Sequence, residues 1–350
     1  MKVGFNILPL KTGHNVRGVG TYTRNILDQL KELSDIEIIE FEDINKINDV
    51  DLVYYPFFDL FQHSLPIKKK FPTVVMIHDV IPLIFPQYYP AGVRGSINLL
   101  LQKLSLKNVK AIITNSQTSK NDIAKYLNVP LEKIYPVYLS IGDNFKVIKT
   151  QETLEKIKEK YNLPDEFALY IGSTNWNKNL LNLAKACVQA STNLVLIGAG
   201  FSQRDNLDHP ELRPLKFFLK EFEGNKLIKI LGFIEEDDLV SIINISNMLL
   251  LPSFYEGFGL PILEAQACGV PVITSSVSSV PEVAGEGALL VNPEKIDEIE
   301  KAIKILTKDN LKREYLIKKG FENVSKFSWE KTADETIRVF KLALQEGSEK

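Results

Sequence analysis

The sequence is poor in the features that announce several protein classes. Only two cysteines, Cys187 and Cys268, occur in 350 residues. They lie far apart in helix-like segments, so they do not point to a disulfide, and a reducing, cytoplasmic setting is expected. No run of about 18 uninterrupted apolar residues, as a membrane-spanning helix needs, is present. The first residues, Met1-Lys2-Val3-Gly4-Phe5-Asn6-Ile7, read as a strand and not as a basic, apolar and small-residue leader. The four histidines are scattered and no Cys/His/Asp spacing suits a metal, so no metal is expected. The net charge of −2 gives no footprint for nucleic acid.

What is present is ordinary globular composition, 45% hydrophobic and 25% charged, at a length that suggests two domains. Short apolar, β-branched runs occur at 3–7, 36–40, 52–55, 73–77, 111–114 and 134–137. Several are continuously apolar, as strands covered on both faces must be. Between some of them lie helical patterns, with Tyr22, Ile26, Leu30 and Leu33 on one face, and Ile123, Tyr126 and Leu127 on another. A charged helix at 151–161 and the breaker Asn162-Leu163-Pro164-Asp165-Glu166 interrupt the pattern. It restarts with runs at 167–171, 194–197, 227–231, 248–251, 270–274 and 289–291. Two successive βαβ series imply an α/β protein of two doubly wound, Rossmann-like domains, 1–160 and 161–327, followed by a long amphipathic helix over 328–350. Such sheets bind ligands at the carboxyl ends of their strands, so the informative loops follow strands, and a ligand is expected between the domains.

The most informative of these loops is Pro252-Ser253-Phe254-Tyr255-Glu256-Gly257-Phe258-Gly259-Leu260-Pro261-Ile262-Leu263-Glu264. Its glycines uncover backbone amides, and Pro261 suits a helix start. Loop and helix terminus together make a cradle for an anion such as a diphosphate. Glu256 and Glu264 bracket that cradle and can accept hydrogen bonds from ribose or sugar hydroxyls. On spacing alone, a plain turn with a solvated Glu256 and a capping Glu264 fits equally well.

A second loop, Gly172-Ser173-Thr174-Asn175-Trp176-Asn177-Lys178-Asn179-Leu180, offers Lys178 as a mobile cation. A third, Gly13-His14-Asn15-Val16-Arg17-Gly18-Val19-Gly20-Thr21, joins the first strand to the first helix. Its G-x-G also occurs in dinucleotide sites, although Thr23 replaces the third glycine and the loop is long for that fold. In a fourth segment, Met76-Ile77-His78-Asp79-Val80-Ile81-Pro82-Leu83, His78 leaves a strand end, where a structural histidine is the commoner outcome.

Read as a whole, the chain resembles retaining glycosyltransferase family 4, the group 1 glycosyltransferases of GT-B fold. The carriers are Glu256-Gly257-Phe258-Gly259-Leu260-Pro261 with Glu264, the G-x5-K-N-L of Gly172 to Leu180, the N-terminal glycine loop, and the H-D-x-I-P-L of His78 to Leu83. The last looks like a mannosyltransferase branch. The resemblance implies two domains facing across a cleft, with the C-terminal helix packing back toward the N-terminal one. It implies a nucleotide-sugar donor, a GDP-sugar or UDP-sugar, and metal-independent transfer of a hexose to a glycan or lipid-linked acceptor with retained configuration. Glu256 would meet the donor sugar hydroxyls and Glu264 the ribose. The amides of Phe258, Gly259 and Leu260 would hold phosphate or sugar. Lys178, Gly172, Gly18 and Gly20 would surround the diphosphate. Family members commonly carry an Arg near Lys178; Ser173 and Asn177 are neutral here, and Arg17 is the candidate for the missing charge. His78, with Asp79 orienting its ring, would bond a sugar hydroxyl or phosphate. Phe233 would flank the nucleobase or be core. Asn115-Ser116 is read mainly as a helix cap, the segment 275–281 as a wall of the donor pocket, and Glu282 as a helix-start residue. A nucleotide-sugar epimerase of the same fold and an NAD-dependent oxidoreductase are the alternatives. The region 92–133 is apolar and basic. That leaves two readings open: a core helix with a solvated face, or peripheral contact with the inner face of a membrane.

Overall fold

A computed structural model describes residues 1–12 and 18–345. The chain divides into two compact units, Met1–Ser140 together with the chain from Phe327 onward, and Ile141–Lys326.

The first unit is built on six parallel strands, β1 (Lys2–Asn6), β2 (Glu37–Phe41), β3 (Leu52–Tyr55), β4 (Thr73–Met76), β5 (Ala111–Thr114) and β6 (Ile134–Pro136), in the order β2-β1-β3-β4-β5-β6. β3, β4 and β5 are buried at every position, which is why they read as unbroken apolar runs. The helices are α1 (Gly18–Glu32), α2 (Ile81–Ile84), α3 (Gly92–Leu106) and α4 (Gln117–Leu127). α1 buries Tyr22, Ile26 and Leu30 along one stripe, at the spacing of an amphipathic helix.

In the second unit, β7 (Ala168–Ile171), β8 (Leu194–Ile197), β9 (Ile228–Gly232), β10 (Met248–Leu251), β11 (Val272–Ser275) and β12 (Ala288–Val291) form another parallel sheet, ordered β12-β11-β10-β7-β8-β9. Its helices are α5 (Gln151–Lys160), α6 (Leu180–Gln189), α7 (Arg213–Phe222), α8 (Glu236–Ile245), α9 (Leu260–Ala267), α10 (Val280–Ala284), α11 (Ile296–Lys308) and α12 (Asn310–Val324). The order reverses between β7 and β10, and the crevice beyond such a switch point is where open α/β sheets receive ligands.

The division falls twenty residues before position 160. α5 belongs to the second unit, because Ile157 joins the hydrophobic core formed by β7, β8 and β10. The final helix, α13 (Trp329–Gln345), belongs to the first unit. Its Phe340 ring lies 5.1 Å from Tyr54 on β3, and Trp329 lies 6.2 Å from Tyr22 on α1. Both cysteines are buried free thiols, and burial pushes the Cys268 thiol up to about 12. Among the described residues no helix is long and apolar enough to cross a membrane.

Candidate active site

The switch point of the second unit brings two sequence-distant loops together. After β7 the chain makes a tight turn, Trp176–Lys178, and enters α6 through Asn179 in the left-handed conformation. After β10 it runs to Gly259, whose φ of +107° suits glycine and caps α9. The two loops are stitched by backbone and side chain. The Phe254 amide donates to the Asn177 carbonyl at 2.7 Å, and Asn177 Nδ2 donates to the Tyr255 carbonyl at 2.8 Å. Asn179 Nδ2 donates to the carbonyls of Pro252 and Pro293 at 2.8 and 2.7 Å. Trp176 stacks on Phe254 with ring centroids 4.9 Å apart.

This stitching sets Lys178 against Glu256. Lys178 Nζ lies 2.7 and 2.8 Å from the two Glu256 carboxylate oxygens, and the Ser253 hydroxyl donates to Oε1 at 2.6 Å. Glu256 is buried, so an unpaired charge there would be costly, and the lysine supplies the compensation. The backbone around it is fixed as well. The Glu256 amide donates to Ser278 Oγ at 3.1 Å, and the Ser279 hydroxyl donates to the Glu256 carbonyl at 2.8 Å. The segment 275–281 therefore laces the Glu256 loop from behind.

Glu264 lies one turn into α9 and is part-buried. Desolvation, with the Glu236 carboxylate adding to it, pushes its pKa up to about 8. Phe258 is buried, so its ring faces the protein interior and not a ligand. Gly172 follows β7 directly, and a Cβ on Gly198, after β8, would stand 1.9 Å from its carbonyl oxygen. These two loops pack at a distance only glycine permits. Phe233 follows β9 and is 59% exposed, so it is no core residue. Glu282 falls in the first turn of α10.

The first unit holds the other group of candidates. His78 and Asn115 leave β4 and β5 at matching positions, since Met76 pairs with Ile113. The His78 ring packs edge-on against Tyr22 at 5.0 Å. Burial brings its pKa down to about 4, partly countered by a hydrogen bond that the ring donates to the Pro56 backbone. Proline has only a carbonyl to offer, so the imidazole is the donor. Nε2 is buried with no partner, which leaves Nδ1 as the bonded nitrogen and Nε2 as a bare acceptor. The Pro56 carbonyl is thus a hydrogen-bonded anchor of the ring; Asp79 Oδ1 accepts from the Ile81 amide at 3.0 Å and turns the chain into α2. Ser116 caps α4 by accepting from the Ser119 amide at 3.0 Å, while Asn115 Oδ1, Thr114 Oγ1 and Trp329 Nε1 are buried without partners. Gly18 and Gly20 sit in the first turn of α1. Arg17 lies outside the described residues.

Sequence reasoning singled out Lys178, Glu256 and the 275–281 segment but did not foresee the Lys178–Glu256 pair or the anchoring role of Ser253. The signal for Ser253 was its place in the strand-to-helix loop. Pro56, Thr114 and Trp329 carried no local signal. Among the described residues no three His, Cys, Asp or Glu side chains gather as metal ligands.

Two doubly wound parallel sheets, each with candidate side chains at strand carboxyl ends, are the architecture of the GT-B class of sugar-transferring enzymes. HepE of Anabaena, solved in complex with UDP-glucose, superposes with a TM-score of 0.74 at 16% identity, covering 97% of this chain and 99% of that one. Sucrose-phosphate synthase of Thermosynechococcus elongatus gives 0.74 at 17%, covering 99% and 100%. Residues 151–323 match the glycosyl transferases group 1 family, and residues 38–142 match glycosyltransferase family 4. The O-antigen chain mannosyltransferase B of Escherichia coli is 31% identical over 278 residues, 77% of this chain and 70% of that protein. The serotype-specific mannosyltransferase WbdA of Escherichia coli is 30% identical over 315 residues, 85% of this chain but 38% of that longer protein. The chain belongs to glycosyltransferase family 4 and is a glycosyltransferase. The oxidoreductase and epimerase alternatives find no counterpart in these relatives.

Proposed function

We propose that the protein transfers a hexose, mannose in the first instance, from a nucleotide-diphosphate sugar to a hydroxyl of a glycan or lipid-linked glycan, without a metal and with retained anomeric configuration. The observation that carries this reading is the pairing of part-buried Lys178 with buried Glu256 at the switch point of the second sheet. Mannose is favoured because the two Escherichia coli relatives named above are mannosyltransferases.

Two protons of the Lys178 ammonium face Glu256, and its third serves a diphosphate oxygen. The lysine would thereby join the donor's leaving group to the carboxylate that reads its sugar. Amides of Gly259 and Leu260 at the start of α9 add the positive end of a helix. Glu264 would accept from ribose hydroxyls, with Phe233 beside the base. Negative charge growing on the departing diphosphate meets fixed donors, which is where preorganised electrostatics acts. Neutral His78 presents Nε2 as an acceptor for a sugar hydroxyl.

Retention has two routes. In one, Glu256 attacks the anomeric carbon. In the other, the bond to the leaving phosphate breaks while the acceptor oxygen bonds the same face, and the acceptor proton passes to a phosphate oxygen. The second route fits better, because a carboxylate held by Lys178 and Ser253 has its lone pairs engaged and is a weak nucleophile. A trapped glycosyl-Glu256 adduct would reverse that choice.

The test is nucleoside diphosphate release from a panel of GDP-, UDP- and ADP-hexoses, with and without mannoside acceptors and with a chelator throughout. Acceptor-dependent release from GDP-mannose is expected, giving a product of the donor's anomeric configuration by NMR. Turnover without acceptor, or an inverted anomer, would overturn the reading.

A further inference from the structure

α3 is built inside out. Its inward face is Gly95, Gln102 and Ser105, all buried, with Asn98 beside them. Gln102 Nε2 donates to the Asp59 carbonyl at 2.6 Å and to Ser64 Oγ at 2.8 Å, and its Oε1 accepts from the Leu65 amide at 3.4 Å. Asn98 Nδ2 donates to the Phe61 carbonyl at 2.8 Å. Leu99 and Leu106 give one shoulder of this face its only large apolar packing. The opposite side carries Val93, Ile97, Leu100 and Leu104, which are 81%, 57%, 62% and 38% exposed. At 100° per residue these four fall within a stripe about 60° wide, diametrically opposite Gln102. Water gains nothing from such a stripe, and an amphipathic helix packed for core formation would have turned it inward.

The charge around the stripe selects its partner. From Val80 to Asn121 there is no Asp or Glu, while Arg94, Lys103, Lys107, Lys110 and Lys120 are all basic. Arg94 and Lys107 are exposed and flank the stripe on either side. Lys69 donates to the Ser105 carbonyl at 2.8 Å, bringing the exposed Ile67 and Lys68 to the C-terminal end of α3. The nearby Asp59 carboxylate is turned onto the amides of Phe61 and Gln62. A second copy of the chain fits poorly. A two-fold contact would set the basic flanks of both copies together, and four side chains fall short of the 20 to 30 residues a side that a standard interface buries.

We propose that α3 docks the protein on an anionic lipid surface, with Val93, Ile97, Leu100 and Leu104 entering the acyl boundary and the flanking Arg and Lys meeting the headgroups. This does not depend on which sugar is transferred. It would hold the first unit at the plane where a lipid-linked acceptor lies.

The test is cosedimentation of the full chain with vesicles of phosphatidylcholine alone or with one-third phosphatidylglycerol, at low and high salt. Binding to the anionic vesicles that weakens with salt is expected. Ile97→Asp with Leu100→Asp should lower the bound fraction at least tenfold, roughly, since both apolar insertion and charge balance are lost. Lys103→Gln with Lys107→Gln should cost on the order of tenfold on anionic vesicles and little on neutral ones. Ile97→Trp gives a second readout that needs no destabilising change, a blue-shifted emission on anionic vesicles. No binding by the native chain, equal binding by the Asp variant, or an unshifted tryptophan would overturn the proposal. So would a native dimer that the Asp variant converts to monomer.

Discussion

The two units prepare for ligand in opposite ways. At the switch point of the second sheet the charged pair is already anchored: Lys178 by Glu256, Glu256 by Lys178 and Ser253, and the loop backbone by Asn177, Ser278 and Ser279. In the first unit the strand ends carry unmet demand. Among the described residues all four buried side-chain atoms without a partner belong to that unit: His78 Nε2, Thr114 Oγ1, Asn115 Oδ1 and Trp329 Nε1. A buried polar atom left unbonded costs about 1–3 kcal/mol. The pair in the second unit is thus fixed in place before ligand arrives, whereas the first unit stores a deficit that hydroxyl-rich ligand or ordered water would relieve.

The sharpest way to break this comparison is at its charged pair. Glu256→Gln should lower transfer by about a thousandfold, as loss of a preorganised electrostatic group does. Lys178→Ala should approach that loss and also destabilise the second unit by roughly 3 kcal/mol, because it leaves Glu256 buried without its cation. Steady-state rates and urea unfolding of both variants decide it; a stable, active Lys178→Ala protein would show that the pair is ornamental.

Glu264 offers a smaller effect with a telling sign. Its folded pKa, about 8, lies above the ordinary 4.5, so burial favours the neutral acid. Its contribution is most favourable below the unfolded value and is lost as pH rises toward 8. Glu264→Gln should therefore stabilise the ligand-free protein at pH 8 by about 1–3 kcal/mol while weakening donor binding about tenfold or more. Melting curves across pH, with and without nucleotide sugar, measure both. Equal destabilisation at every pH would contradict the assignment.

In the first unit His78 has the opposite linkage. Its folded pKa of about 4 lies below 6.5, so both states are neutral at pH 7 and no stability is gained or lost there. As pH falls from 6.5 toward 4 the unfolded chain takes the proton first, which should cost the fold up to about 3 kcal/mol. His78→Gln should flatten that acid limb and lower kcat/KM about tenfold, roughly the worth of one bond to a substrate hydroxyl. Ser253→Ala is the mildest change, about 1–2 kcal/mol. It should lower kcat more than it raises KM, as fits a residue that holds Glu256 in place.

Much of this was legible in the residues themselves. All twelve strands were marked by short runs, most plainly the inner ones such as β3, β4 and β10, because parallel strands buried on both faces leave no polar positions to blur the pattern, whereas β2 and β9 carry Glu37, Glu40 and Lys229. The segments following those runs contained Lys178, Glu256, Glu264 and His78. The partnership of Lys178 with Glu256 was not legible, since it depends on β10 crossing over to lie beside β7, a pairing no local signal encodes. The division falls before α5 and not at 160 because that helix, read as a charged one interrupting the pattern, places Ile157 in the core of the second unit. Phe233 was read as either base-facing or core, since only the turn after Gly232 determines its exposure. The inverted face of α3 was hidden for a similar reason. Periodicity reveals that one side is apolar, but Gln102 and Asn98 choose which side is inside.

The most direct measurement is calorimetric titration of GDP-mannose and UDP-glucose, in chelator, into the native protein and the Lys178→Ala variant. Binding of one donor without metal, weakened at least about tenfold in the variant, is the expected result for a charge-assisted contact to the diphosphate. Undiminished affinity in Lys178→Ala, or binding that appears only with a divalent cation, would contradict the central claim.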